Sequence, residues 1–510
     1  MKSKFYIFYI WNRRSINTAT PTVPEMSEPR LRSELTLFDV TNLVVGSIIG
    51  ADIYVASSFG AGALGPLSLV VWVIAGFISI VIALCFAQCA ALLPKVGGSY
   101  AYAREAWGSF AGFIVGWSLW LAEWVSLAVF PVAFARYLMF FLPNLDWLSQ
   151  ILVKSLFVVF LIVTNIFGTK AAGRTNDVLT LIKLAPLIFF SSAGSLYIIA
   201  HPSEAALNFS PLAPFGFSDF GTALVLIFWA YAGFEISTIP AEEIKDPSRT
   251  IPRAIMLGIS IVIIFYLTTN LVLFGVRPWS QLAKDTAPLA SATTAILDTN
   301  PLLMLIGGTI VGVGALISVA GSDESGMLGT SRLGYALAVD GLFPRVFAKV
   351  HPRFKTPYLG IIIQALTALV ASIVGGLSVL IATSVFFMAI AYAATSASIF
   401  SLRKKNLKPS FHLRGGLLIP SLGVIFSLYL ISQCTIAQIG LGLALLLLGV
   451  PIYIRYSPKK EMAEIKKLLV SSESILESSL RQEEQFLAHL LSHIKRIYRK
   501  KKGSSRGRRS

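Results

Sequence analysis

The 510 residues are 55% hydrophobic and only 14% charged, with a mean hydropathy of +0.72 and a formal net charge of +17. A soluble domain cannot hide that much apolar surface, so the composition excludes a soluble enzyme or binding module and predicts an all-α integral membrane protein. The charge excludes a nucleic-acid partner by its placement. With a cytosolic N-terminus and alternating spans, nearly all of the 43 Lys and Arg fall on the cytosolic side. Arg136, Lys154, Arg277 and Lys284 fall at or near the outer side, and Lys183 within a span. Such a bias sets topology.

Residues 1–36 are polar and basic with Thr-Pro and Val-Pro steps, and read as a disordered cytosolic tail. Their run FYIFYIW is too short for a span and resembles neither a signal peptide nor a lipidation motif. Apolar runs then predict twelve spans, at about 37–62, 66–93, 109–140, 152–168, 177–199, 218–239, 253–275, 302–325, 357–376, 379–401, 416–433 and 436–455. They make a transmembrane domain over 37–455, with both termini cytoplasmic. From 456 to 510 the material changes. Met462, Ile465, Leu469, Leu476, Leu480, Leu487, Leu490, Ile494 and Ile497 recur through charged neighbours, before the basic run KRIYRKKKGSSRGRR. This amphipathic tail reads as a short coiled coil, a helix lying on anionic lipid, or a solvated segment.

The first span is not ordinary membrane helix. Gly46, Ser47 and Gly50 fall within five residues, where helix propensity is poorest, and Asp52 follows. A carboxylate at mid-membrane depth costs about 2.5 to 3.5 kcal/mol on insertion scales. Irregular backbone survives there only where protein or a water-filled cavity satisfies it. A broken helix with an acid at the break therefore predicts a binding site near the bilayer midplane. The sixth span, LIFWAYAGFEIS, repeats the pattern: Ala230 to Gly233 is a small-residue patch, and Glu235 follows Gly233 as Asp52 follows Gly50. Interrupted spans in corresponding positions of two halves are the signature of an inverted repeat.

Four stretches in order, GSIIGAD, ALLPKVGGSYAYARE, EEIKDPSRTIPRAI and RLGYALAVDGLFPRVFAKVHPRFKTP, resemble motifs of the amino acid–polyamine–organocation superfamily over about 36–455. The resemblance implies a LeuT-like fold of 12 transmembrane helices. Helices 1–10 would form a 5+5 inverted repeat with helices 1 and 6 broken, and helices 11–12 would be peripheral. It implies a secondary active transporter of amino acids or related amines, working by alternating access with proton coupling or exchange. No cofactor is implied, and no enzyme, since no catalytic constellation accompanies the intramembrane acids. A polyamine or cationic-amine carrier is the alternative within transport, and an amino acid sensor that binds without carrying is the alternative outside it. The loop FLPNLDWLSQ holds no cysteine, so no disulfide-linked heavy chain is implied. Cys85, Cys89 and Cys434 read as core packing residues.

By the same resemblance the substrate site comprises Ser47, Ile48, Ile49, Gly50, Ala51 and Asp52 of span one with Phe228, Trp229, Ala230, Tyr231, Ala232 and Gly233 of span six. A substrate amino group would meet the carbonyls of Ile48, Trp229 and Ala232. Its carboxylate would meet the amides around Gly50 to Asp52, and Trp229 matches an aromatic lid. Proton or ion coupling falls to Lys183, Glu235, Glu324, Asp52 and Glu123. Asp52 departs from a family glycine, and three roles stand open: a helix cap, a counter-ion for an amine or coupling cation, and a proton carrier. Glu235 resembles a proton-linked acid or caps the inner half-helix. Lys183 matches a lysine whose ammonium takes the place of a sodium ion between spans one and eight; snorkelling is the alternative. Within VAGSDESGMLGTSR, Glu324 stands where relatives have Asn and is expected to face span one and pair with Lys183. Asp323 would point about 100° away. Glu123 has no family role, and Gln88 replaces a usual glutamate.

Overall fold

Helix formation opens at Thr36, whose hydroxyl accepts from the Asp39 amide while the Asp39 carboxylate accepts from the Thr36 amide. This capping box satisfies two of the first turn's orphan donors. The computed structural model describes residues 35–457 apart from 96, 168–171, 239–240, 242–243, 406–410 and 412–414. Of the tails expected over 1–36 and 456–510, residues 1–34 and 458–510 lie outside the described residues.

In chain order the helices are α1 (Leu37–Ile48), α2 (Ala51–Leu64), α3 (Ser68–Leu92), α4 (Ser99–Trp107), α5 (Ser109–Leu138), α6 (Trp147–Phe167), α7 (Ala172–Ala200) and α8 (Pro202–Asn208). They continue with α9 (Phe220–Phe228), α10 (Pro247–Val276), α11 (Trp279–Leu282), α12 (Pro288–Ile296), α13 (Pro301–Val339), α14 (Tyr358–Val374), α15 (Leu377–Leu402), α16 (Leu418–Ser432) and α17 (Ile436–Tyr456). Among the described residues no strand forms, and the single bridge joins Leu35 to Ile244. Among the described residues nine segments are long and apolar enough to cross a membrane, and α1, α14 and α16 are shorter apolar helices.

The most apolar stretch of α5 is 89% buried against 22% for α17, so α5 runs through the interior and α17 along its edge. It packs on α13, α14 and α15. Along its length Trp117 and Trp120 stack at 5.3 Å, and Trp120 and Trp124 at 6.2 Å. Lys154 on α6 is buried, and its Nζ donates to the Ser372 carbonyl at 2.8 Å, in the last turn of α14 where a cation suits the helix dipole.

Three elements differ from the sequence reading. The loop ALLPKVGGSYAYARE holds a helix, α4, launched by Gly97 and Gly98 at φ +111° and +52°. Span eight does not end near 325: α13 runs 39 residues, to Val339. Within its polar stretch Ser325, Thr330 and Ser331 satisfy their hydroxyls on their own helix's carbonyls, so these polar side chains are accommodated without breaking the helix. The inner half of span six is no α half-helix over its described residues. It is a 3₁₀ segment, Phe234–Thr238, entered through Gly233 at φ +118°.

Candidate functional site

The break of span one is Ile49 and Gly50, between α1 and α2. The break of span six runs from the 3₁₀ turn Trp229–Tyr231 through extended Ala232 to Gly233. The two touch directly. Ser47 Oγ donates to the Gly233 carbonyl at 2.9 Å, and a Cβ on Gly233 would lie 2.8 Å from the Ser47 carbonyl oxygen. Gly50 faces α13 as closely: a Cβ there would meet Ser322 Cβ at 2.7 Å. Glycine is required at both places because another backbone or side chain fills the space.

Each break carries an acid on its own amide. The Gly50 N–H donates to Asp52 Oδ2 at 3.2 Å, and the Gly233 N–H donates to Glu235 Oε2 at 2.9 Å. Both carboxyls are buried, Asp52 at 5% and Glu235 at 1% exposure. The same two-residue reach recurs in both halves, so the matching spacing in the sequence has one physical meaning: each acid satisfies a donor orphaned by the interruption.

The break carbonyls also have partners. Tyr266 on α10 places its hydroxyl 3.2 Å from the Ile48 carbonyl and 3.4 Å from Asp52 Oδ2. Ala232 N–H donates to the Trp229 carbonyl at 3.1 Å, inside the 3₁₀ turn. Ser322 Oγ donates to the Ile49 carbonyl at 3.0 Å. Ser318 Oγ also donates to the Ile49 carbonyl, at 3.5 Å, while the Ile48 and Trp229 carbonyls keep a second lone pair for a further donor. Among the aromatic side chains expected to line the site, Trp229 points to α5, where its indole donates to Ser126 Oγ at 3.2 Å. Tyr231 points away, donating to the Trp72 carbonyl at 3.0 Å, and Phe228 packs on Tyr392.

Between span one and α13 sits Lys183, buried at 3% exposure. Its Nζ donates to the Gly46 carbonyl at 3.2 Å and to Ser322 Oγ at 3.1 Å. The expected pairing with Glu324 is corrected here: Lys183 makes its hydrogen bonds to Gly46 and Ser322, and no ion pair joins it to Glu324 among the described residues. Helical periodicity explains this. Ser318 and Ser322, one turn apart, carry the face that meets span one, and Glu324 lies about 200° around the helix from Ser322. Glu324 is half-buried; Asp323 is buried at 1%, and neither of its carboxyl oxygens has a hydrogen-bond partner among the described residues. Glu123, on α5, and Glu235 are both buried, and neither Glu235 Oε1 nor the Tyr392 hydroxyl has a hydrogen-bond partner among the described residues.

Sequence reasoning missed Tyr266, Ser126, Ser318 and Ser322. The four-residue spacing of the last two was a usable signal. Tyr266 sits in the apolar run SIVIIFYLTTN and gave none.

The pattern of the amino acid permease family matches residues 35–452. The chain is 28% identical over 452 residues to the branched-chain amino acid permease BcaP of Bacillus subtilis (strain 168), covering 85% of this chain and 94% of that one. It is 28% identical over 456 residues to the methylthioribose transporter of the same organism, covering 85% and 95%. Similarity to its serine/threonine exchanger SteT is 27% over 453 residues, covering 85% and 98%. The broken spans, the apolar helices and a match over most of the chain agree: this protein belongs to the amino acid permease family, as a multi-pass membrane transporter and not an enzyme.

Proposed function

We propose that the protein carries an amino acid across the cell membrane by alternating access and couples that movement to protons through Lys183. The observation that carries this reading is the Lys183 ammonium bridging the Gly46 carbonyl of α1 and the Ser322 hydroxyl of α13. A sodium ion held between these helices would use the same kind of oxygens, those of Gly46, Ile49, Ser318 and Ser322. An ammonium there supplies the positive charge from the chain itself. Losing the proton removes the positive charge and one of the three N–H donors, so the charge-assisted ties of Lys183 to α1 and α13 weaken and the inner half of span one is loosened when Lys183 is neutral. The buried acids Glu123 and Glu235 supply further carboxyls for a proton or cation, since acids inside a membrane domain mark such pathways.

The positive-inside bias supports a cell-membrane topology with both termini cytoplasmic, helices 1–10 as the transport core and the tails outside it. The names of two relatives, a branched-chain amino acid permease and a serine/threonine exchanger, favour a neutral amino acid as substrate. Uptake of leucine and of serine into proteoliposomes, under a pH gradient or a sodium gradient, tests the proposal. Flux that follows the pH gradient and ignores sodium is expected; sodium dependence overturns the coupling, and binding without flux makes the protein a sensor.

One observation favours a second reading, an amine carrier. The Asp52 carboxylate occupies the amide at which a substrate carboxylate is expected. Competition of isopentylamine against leucine separates the two.

A further inference from the structure

Trp229 donates its indole N–H to Ser126 Oγ on α5 at 3.2 Å. Ser126 Oγ lies 2.8 Å from Ser384 Oγ on α15, and Ser384 Oγ donates to the Ala122 carbonyl at 3.0 Å. Proton accounting fixes the direction of the chain, because a hydroxyl has one hydrogen and two lone pairs. Ser384 commits its hydrogen to Ala122. Ser126 therefore donates to Ser384 and accepts from Trp229. The three side chains are buried at 4%, 0% and 3% exposure for Ser126, Ser384 and Trp229, so bulk water cannot replace a missing member. Satisfaction of a buried indole is not automatic in this protein: the Nε1 atoms of Trp72 and Trp120 have no hydrogen-bond partner among the described residues. The Phe130 ring flanks Trp229, centroids 5.9 Å apart.

We propose that Ser126 is the positioning residue for Trp229, fixing the indole to the seam between α5 and α15. The inference rests on the reading of Trp229 as the aromatic lid of the substrate site. Through it the lid of span six is registered against spans three and ten, and a shift of α15 relative to α5 is transmitted to the indole. The two serines are not equivalent. Ala122 lies four residues before Ser126 on the same helix, so without Ser384 the Ser126 hydroxyl falls back on that carbonyl and still accepts from Trp229. Without Ser126 the indole loses the one acceptor it has among the described residues.

The test compares Ser126→Ala, Ser126→Thr and Ser384→Ala in the full-length, purified protein. Ultraviolet resonance Raman spectra are taken without ligand, and the Trp229 contribution is isolated by subtracting Trp229→Phe. The indole N–H marker band is expected to move to its non-bonded position in Ser126→Ala and to stay in Ser126→Thr and Ser384→Ala. In proteoliposomes, Ser126→Ala is expected to raise KM for leucine about fivefold, the size of one net hydrogen bond, with Vmax within about twofold. In a Trp229→Phe background the same substitution should add nothing. An unmoved band in Ser126→Ala, or an effect that persists without the indole, overturns the proposal. Absence of amino acid flux in the wild type overturns the transport reading instead, and the Raman result then still decides whether Ser126 holds Trp229.

Discussion

Asp52 stands where the family's first-helix motif carries glycine, and its carboxylate accepts from the Gly50 amide. A substrate carboxylate about 4 Å away would be repelled by about 4 kcal/mol at an effective dielectric near 20. That is about a thousandfold in affinity. Asp52→Gly is therefore expected to raise affinity for leucine relative to isopentylamine and to weaken the pH dependence of that ratio. Binding of both ligands across pH 5 to 8 checks this; an identical ratio in the two proteins at every pH assigns Asp52 to capping alone. Tyr266 is tied to the same carboxyl, since its one hydroxyl hydrogen lies between the Ile48 carbonyl and Asp52. Tyr266→Phe leaves a buried acceptor short of a donor, a loss of about 1–3 kcal/mol. It should lower Tm, and the double variant with Asp52→Asn should lose less than the sum of the two singles. Strict additivity would show that the hydroxyl serves Ile48 only.

Between elements, the bridge from α7 to α1 and α13 is a single ammonium. Lys183→Ala is expected to leave the protein folded and to abolish or strongly flatten the pH dependence of transport. Uptake rates measured across a pH series settle it: a profile that matches the wild type removes Lys183 from coupling. A second tie lies outside the spans, where Lys405 Nζ donates to Glu105 Oε1 at 2.9 Å and Lys95 stands 3.5 Å from Oε2. The hydrogen bond from Lys405, aided by Lys95, holds the Glu105 carboxyl below the usual carboxylate range. A depressed pKa adds stability above the group's unfolded value, and the contribution disappears as pH falls through the folded value. Glu105→Gln should thus have a slightly lower Tm than wild type at pH 7 and an equal one in strong acid. The effect is small because the pair is half-exposed and screened. A difference that grows on acidification contradicts this assignment.

At the scale of the whole molecule, the family match ends at 452 and α17 at Tyr456. A chain truncated after Ser457 is expected to fold and transport. Size-exclusion profile and leucine uptake of the truncated protein check this, and complete loss of folding would show that the transport core needs the tail. The central place of α5 also means that substitutions in the seam of Ser118, Ser126 and Ser384 reach further than substitutions on α17, whose apolar window is mostly exposed.

The sequence by itself determined where the chain is apolar, where it is charged and where helix propensity fails. Those are local properties, set by the residue types, and they located the spans, both breaks and the family. The spacing of Gly50 to Asp52 and of Gly233 to Glu235 was legible for the same reason, because a side chain two residues on reaches its neighbour's amide. Tertiary structure decided the partners. Lys183 meets Ser322 and not Glu324 because the rotation of α13 about its axis is fixed by packing against α1, α5 and α7, which no local pattern encodes. Tyr266 joins Asp52, and Ser126 joins Trp229, across 214 and 103 residues of chain. Span eight stays helical through GSDESG, a stretch packed among neighbouring helices with the Ser322 and Ser325 hydroxyls hydrogen-bonded. Packing, not propensity, sets which polar groups face one another inside an apolar fold.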